Sequence, residues 1–510
     1  MVVSVGGRMP VRIWIVSPWS GSVSDGFRWV RLGLELSNGS TTTETTSFSA
    51  CVRSVSPQRE REKCFEVMLD ESNETVAESS MEVDFLEDDG WSTLEATLKR
   101  DGEAMSQFAI EVYVSKKNEE LEERRRVGLA WDLGGGIGWG VLGLSAALAL
   151  LEKGVLAVPL KRVHSFDMTQ AQRDTLEPCL REGAKPKILD YPVVHSLGRW
   201  GLDGSLGTMD KEIWSETRNI ALLFAENKTW TTKDLDVLDT FDSILVGSTW
   251  CATTLRHAAL LERRKILAAK VDIFMQGVDT TTFFPAAKST SEVFTVFSGG
   301  KLELRKGHDI VIAAYKAFRA MLPPETKVRL CVSWVNLWRQ SLETLKNATY
   351  TLGLPEKNSK AEEAIANWIA KNGIAKSEIL SLPALAHSSM AKVLKSIDVA
   401  VFPNRIEGGT NLVAMETAAS GVPIVLSENT GHLDLIRALK GTAYVLHNQS
   451  LQQDGGAHSD PIEAAHNLAD VFFHRNHATT RAATGAHHMR HWTWPTAVDT
   501  ILQAAFPTTT

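Results

Sequence analysis

Two stretches of this 510-residue chain gather side chains whose types and spacing could do chemistry. The first, FSGGKLELRKGHD from Phe297 to Asp309, ends an apolar run in Gly299 and Gly300 and then presents Lys301, Arg305 and Lys306. Two compact ammonium groups and a guanidinium at the mouth of a strand suit a diphosphate. Taken alone, the same residues also describe a basic, solvated strand-to-helix loop. The second stretch, FPNRIEGGTNLVAMETAASGVPIVLS from Phe402 to Ser427, runs from a strand through Gly408 and Gly409 into a helix. The two glycines allow close backbone approach, and the amides of Thr410, Asn411 and Leu412 open the helix, where N–H groups and dipole favour an anion. Glu416 falls about a turn and a half into that helix, near enough to a cleft to accept hydrogen bonds from ribose hydroxyls, and Glu407 precedes the turn. A pair of glutamates is ordinarily solvated surface, but these two flank an apolar segment of small residues.

A third glycine-rich stretch, WDLGGGIGWGVLG from Trp131 to Gly143, follows the short apolar run VGLAW. Its glycines let the backbone approach a bound group, and the helix that starts there aims its dipole at it. Gly138, Gly140 and Gly143 also satisfy the dinucleotide fingerprint, so an NAD(P)-dependent oxidoreductase is a competing reading. The acidic residue expected after the next strand is not evident, since that strand ends in Lys161 and Arg162.

Residues this far apart need a scaffold to bring them together. From Val127 onward short apolar strands (VLAVPL, NIALLF, SILVG, VDIFMQ) alternate with amphipathic helices, and a second such series starts at VFTVF, Val293 to Phe297. Alternation of this kind predicts parallel sheets covered by helices. In the second series Val311, Ala314, Tyr315, Phe318 and Leu322 recur at helical spacing, and KVRLCVS, DVAVF, PIVL and AYVL supply further strands. Residues 1–118 have a different texture, with short alternating runs and a hairpin pattern from Gly90 to Val114 turning at Asp101-Gly102. They read as a β-sandwich-like, immunoglobulin-like domain, followed by the solvated linker SKKNEELEERRR. The expected organisation is that domain followed by two Rossmann-like domains, over 127–285 and 286–490.

Bulk properties narrow the class. The length exceeds what one hydrophobic core usually supports, which predicts several domains. With 44% hydrophobic and 23% charged residues the chain reads as globular. A formal charge of −7 and the lack of a basic stripe argue against nucleic acid as a partner. Five scattered cysteines, at positions 51, 64, 179, 251 and 331, read as reduced thiols, and with no secretory pattern the expected compartment is cytoplasmic. The apolar stretch Ile137 to Leu151 is too short and glycine-rich for a membrane span.

Together the two charged stretches resemble the donor-binding domain of retaining GT-B-fold glycosyltransferases of glycosyltransferase family 4, also known as glycosyl transferase group 1. Lys301 and Lys306 match the family's Gly-Lys and Lys-Gly positions on the donor diphosphate, and Glu407 and Glu416 match its glutamates near the transferred sugar and on the ribose. The two glutamates stand nine positions apart, one more than in the family pattern, which places the extra residue in the Gly408-Gly409 loop. QGVDTTTFFP, LSENTGHLDLI and HWTWPTAVDTIL extend the likeness across residues 127 to about 505, roughly three quarters of the chain.

The resemblance implies a hexosyltransferase-type enzyme that moves a sugar from a nucleotide-diphosphate-sugar to an acceptor hydroxyl, with retention and without a metal or cofactor. It also implies that the domain over 127–285 is the acceptor side, for a carbohydrate, lipid or protein acceptor, that the domain over 286–490 binds the donor, and that a final helix over 491–510 packs back on the first Rossmann-like domain. Catalytic roles fall to Glu407, Lys306, Lys301 and Glu226, the last lying just past the strand NIALLF. Donor contacts fall to Gly299, Gly300, Lys301, Arg305, Lys306, Gly408, Gly409, Thr410, Asn411, Leu412 and Glu416. Gly135, Gly136 and Gly138 join them from the first glycine loop. His195 is a candidate for the family's first-domain histidine but is left out of the catalytic set. A non-catalytic carbohydrate- or nucleotide-binding protein on the same scaffold, with the β domain recognising a partner, is the main alternative.

Overall fold

A computed structural model of the chain describes the backbone of seven N-terminal strands and residues 125–134, 138–164, 168–183, 189–198, 213–286, 292–335, 339–356 and 360–507. The linker reading of SKKNEELEERRR falls almost wholly outside these residues. The chain divides into two compact units, Met1–Tyr191 and Pro192–Thr510.

In the first unit, strands Val11–Ser17, Trp29–Leu36 and Ala77–Glu82 form a three-stranded antiparallel sheet, and Glu60–Asp70, Thr45–Val55, Gly90–Arg100 and Glu103–Val114 form a four-stranded one. The hairpin read from Gly90 onward forms: Arg100 pairs with Glu103, so the connection has two residues. Further on, Arg126–Leu129 and Leu156–Pro159 pair in parallel around the helix Gly138–Glu152. That helix packs tightly, because a Cβ on Gly140 would lie 1.6 Å from the Gly134 carbonyl oxygen and one on Gly143 would meet the Trp131 indole. Two of the three fingerprint glycines thus serve helix-to-loop packing. Among the described residues no helix is long and apolar enough to cross a membrane.

The second unit carries two parallel arrays. Val193–Leu197, Asn219–Leu223, Ser243–Val246 and Val271–Ile273 pair in that order. A six-stranded sheet then runs Ile379–Ser381, Val328–Val335, Phe294–Lys301, Val399–Phe402, Ile424–Ser427, Tyr444–Leu446. Numbered by appearance within this sheet the order is 3-2-1-4-5-6, a doubly wound arrangement whose winding reverses between the first and fourth strands. Val296, Val332, Val399 and Val425 from its strands and Val311, Tyr315 and Phe318 of the helix His308–Ala320 share one core, as the helical spacing predicted. Val278 donates its N–H to the Trp492 carbonyl at 2.8 Å, and Arg218 Nε donates to the Ala504 carbonyl at 3.0 Å. The final helix, Trp494–Ala505, is thereby tied to the four-stranded array.

Candidate active site

Ligands of doubly wound sheets bind beyond the carboxyl ends of the strands where the winding reverses. Here that point lies between Phe294–Lys301 and Val399–Phe402. Their mutual pairing stops at Phe297 and Ala400, while the first strand continues with Val328–Val335 as far as Lys301. Both charged stretches of the sequence emerge at this crevice. Gly300 takes φ 126° as the first strand ends, a backbone state that side chains with a Cβ avoid. A short 3-10 turn, Leu304–Lys306, then presents the basic residues, and Gly307 in the left-handed region turns the chain into the helix His308–Ala320.

The cations are held in a lattice with three carboxylates. Arg305 reaches Glu226 at 2.6 Å and Glu303 at 2.7 Å, with Glu407 at 3.5 Å. Lys301 pairs with Glu303 at 3.0 Å, and the Lys306 ammonium and the Asn404 amide both donate to Glu407 Oε1. Glu407 is buried, which works against its charge, yet Lys306, Arg305 and His432 outweigh burial and hold its carboxyl down to about 2. The Glu226 side chain is half-buried, and this partial desolvation together with the neighbouring Glu303 and Glu407 outweighs Arg305, so its carboxyl is pushed above the usual range. Five of these six charged groups were expected at a site from the sequence. Glu303 was not, because a carboxylate between two basic residues reads locally as surface charge.

The loop from Asn404 to Asn411 is fixed from behind. Arg405 forms a bidentate pair with Asp309, both contacts 2.8 Å, and donates to the Leu304 carbonyl at 2.7 Å. Both side chains are buried, and Arg405 holds the Asp309 carboxyl below its ordinary value against the effect of burial. The Glu407 N–H donates to Thr430 Oγ1 at 2.9 Å. Asn411 caps the helix Leu412–Ala419 with its side chain on the Ala414 N–H, at φ 65°, and its amide meets His432, which in turn contacts Ser427. Thr410 is fully buried, its hydroxyl on Met415 Sδ.

Gly408 and Gly409 pack closely against neighbouring segments of the protein. A Cβ on Gly408 would lie 2.6 Å from the Ala225 carbonyl oxygen, and one on Gly409 would lie 2.8 Å from the Phe224 ring and 2.9 Å from Gln276. The room these glycines leave is thus filled by protein. Gly408 O also accepts from Ser248 Oγ at 2.9 Å and from the Cys251 thiol at 3.0 Å. Replacing Gly408 by alanine is expected to cost about 1–3 kcal/mol, since backbone rather than a flexible side chain must yield. A drop in thermal midpoint measures it, and an unchanged midpoint would contradict the packing argument.

Glu416 is buried on the helix Leu412–Ala419 and meets His387 Nε2 at 2.7 Å. His195 is a core residue: its Nε2 lies 3.0 Å from Asn219 Oδ1, and its ring packs against Trp214 and Phe241. Gly135 and Gly136 lie outside the described residues, and Gly138 opens its helix with no atom of the described residues within 4 Å of where a Cβ would stand. The Arg405–Asp309 pair and His387 were not found from sequence, since their partners are remote in the chain.

Two buried histidines make the fold acid-sensitive. Burial pushes His308, whose ring packs on Trp334, down to about 3, and His432 down to about 4 despite Glu407 beside it. Each is neutral when folded and takes up a proton on unfolding below its ordinary value of about 6.5. Stability from this source is therefore complete above pH 7 and declines as pH falls. Between about pH 6 and 4.5 each should contribute a slope of about 1.4 kcal/mol per pH unit. Urea titrations at stepped pH read the slope, and His308→Leu should remove one proton's share. An identical slope in that variant would rule this histidine out.

The family described as family 4 glycosyltransferase in conflict systems matches residues 243–501, just over half of the chain. No curated protein matches it by sequence. Among solved structures, a glycosyltransferase from Rickettsia africae is similar at 10% identity and TM-score 0.50, over 76% of this chain and 100% of that one. OtsA is similar at 14% identity and TM-score 0.49, over 76% and 100%. Anabaena HepE in complex with UDP follows at 13% identity and TM-score 0.45, over 74% and 98%. At such identities the likeness speaks for the fold alone, and it is the fold expected from the sequence: a GT-B fold with two Rossmann-like domains.

Proposed function

The chain belongs to the family 4 glycosyltransferases of conflict systems, and from that premise we propose that it transfers a sugar from a nucleotide-diphosphate-sugar to an acceptor hydroxyl. The observation that carries the proposal is the convergence of Arg305 and Lys306 on Glu407, with Lys301 joined to Arg305 through Glu303, at the point where the winding reverses. In this reading the donor diphosphate lies against the three cations. Cleaving the glycosyl bond puts negative charge on that diphosphate, and cations already fixed in place stabilise it without reorganising. Arg305 offers a planar fork to paired oxygens, and Lys301 and Lys306 act as compact charges. Glu226 and Glu303 serve to keep Arg305 aimed.

Glu407 orients the sugar. Its negative charge, secured by Lys306 and Asn404, favours the positive character that develops at the anomeric carbon. Glu416 accepts from ribose hydroxyls, and the amides opening the helix Leu412–Ala419 face the phosphates. Retention of anomeric configuration and turnover without a metal belong to the same proposal.

Incubation with a panel of nucleotide sugars and candidate acceptors, reading released nucleoside diphosphate, tests the reaction. The anomeric proton signal of the product reads the stereochemistry, and a chelator reads the metal requirement. Binding of nucleoside diphosphates without turnover of any donor would favour the non-catalytic alternative. Full activity in Glu416→Ala would overturn the ribose assignment.

A further inference from the structure

Glu416 poses a physical problem that the donor site alone does not solve. Its helix, Leu412–Ala419, is buried from Ala414 to Ala419, and the Glu416 side chain is only 8% exposed. A carboxylate buried to this degree needs a donor to keep one orientation. That donor is His387, the first residue of the helix His387–Leu394, whose Nε2 stands 2.7 Å from Glu416 Oε1. The imidazole is itself held, with its ring centroid 4.9 Å from that of the fully buried Phe283. Among the described residues the hydrogen bond takes Oε1 only, so Oε2 remains available to a ligand.

We infer that His387 is a positioning residue: wedged against Phe283, it fixes the Glu416 carboxylate so that Oε2 and the second lone pair of Oε1 face a vicinal diol. The inference rests on the reading of Glu416 as the ribose contact and adds to it the group that gives the contact its geometry. A carboxylate oxygen accepts more than one hydrogen bond, so the imidazole does not exclude the sugar. It restricts rotation about the glutamate side chain, so less freedom is lost when the diol binds. A ribose that loses one hydroxyl gains little from this arrangement.

The test measures binding of UDP, GDP and ADP and of their 2′-deoxy counterparts to the full chain, using whichever base binds tightest. His387→Phe keeps a ring against Phe283 but has no donor, and His387→Gln restores a donor at similar reach. The expected result is about a tenfold loss of ribonucleotide affinity in His387→Phe, with the deoxynucleotide nearly unaffected and His387→Gln close to the parent. Thermal unfolding of each variant confirms that the fold is retained. If His387→Phe keeps the parent's preference for ribose while Glu416→Ala loses it, the positioning role is wrong and the ribose reading stands. If Glu416→Ala keeps that preference, both are wrong.

Discussion

Lys306→Ala is expected to slow release of nucleoside diphosphate from a turned-over donor by about 10²–10³-fold, the loss typical of removing one preorganised group that stabilises developing anionic charge. Two consequences combine at this position. The diphosphate loses a fixed charge, and Glu407 loses the strongest of the cations that keep its carboxyl down to about 2. Arg305, 3.5 Å away and shared with Glu226 and Glu303, replaces that cation only in part. Glu407 would then take up a proton at higher pH, and the remaining activity should fall off toward acid sooner than in the parent. Lys306→Arg keeps the charge and should retain far more activity than Lys306→Ala. Initial rates across pH measure both effects. A Lys306→Ala enzyme within about threefold of the parent would remove this lysine from the mechanism.

Breaking the Arg405–Asp309 pair is expected to cost about 3–5 kcal/mol of stability, the usual penalty for leaving one buried charge without its partner. Asp309 is fully buried and also accepts from the Thr349 N–H at 3.1 Å and from the Tyr350 N–H, so Arg405→Leu leaves a buried carboxylate with neutral backbone donors only. Asp309→Ala strands the guanidinium instead. Urea midpoints should fall in both single variants, and the double variant Arg405→Met with Asp309→Leu should recover much of the loss, because a matched apolar pair removes both desolvation penalties. A loss below about 1 kcal/mol in both single variants would show the pair to be solvated. Arg405 precedes Glu407 by two residues and Asp309 follows Lys306 by three, so the same pair sets the spacing across which Lys306 and Glu407 meet.

The strands and helices of the α/β region were legible because apolar runs of strand length alternate with segments of helical period, as in Val311, Tyr315 and Phe318. The charged site residues were legible for a different reason: Lys301, Lys306, Glu407 and Glu416 sit next to glycines and small residues, where free charge is conspicuous. The strand order was not legible. Nothing local to Phe297 or Phe402 says that the first and fourth strands of their sheet are neighbours, yet that pairing brings the two stretches together. His387 and Arg405 escaped notice because an isolated histidine or arginine acquires meaning only from a partner remote in sequence. Gly408 shows the opposite limit. Its need for a small residue was visible, but the sequence does not say whether ligand or backbone fills the room it leaves.

The carbonyl of Gly408 carries a further consequence. It receives hydrogen bonds from Ser248 and Cys251 at the start of the helix Thr249–Leu261, whose Thr249 N–H donates to Asp434 at 2.7 Å. Lys228, two residues past Glu226, donates its N–H to the Asp454 carbonyl at 2.9 Å. The loop bearing Glu407 therefore cannot loosen by itself. In the language of hydrogen exchange, it belongs to the same opening event as the chain around Glu226 and Ser248, and its amides share their protection. A change at this seam, remote from any phosphate or sugar, would reach the reacting groups as a shift in how often they are assembled.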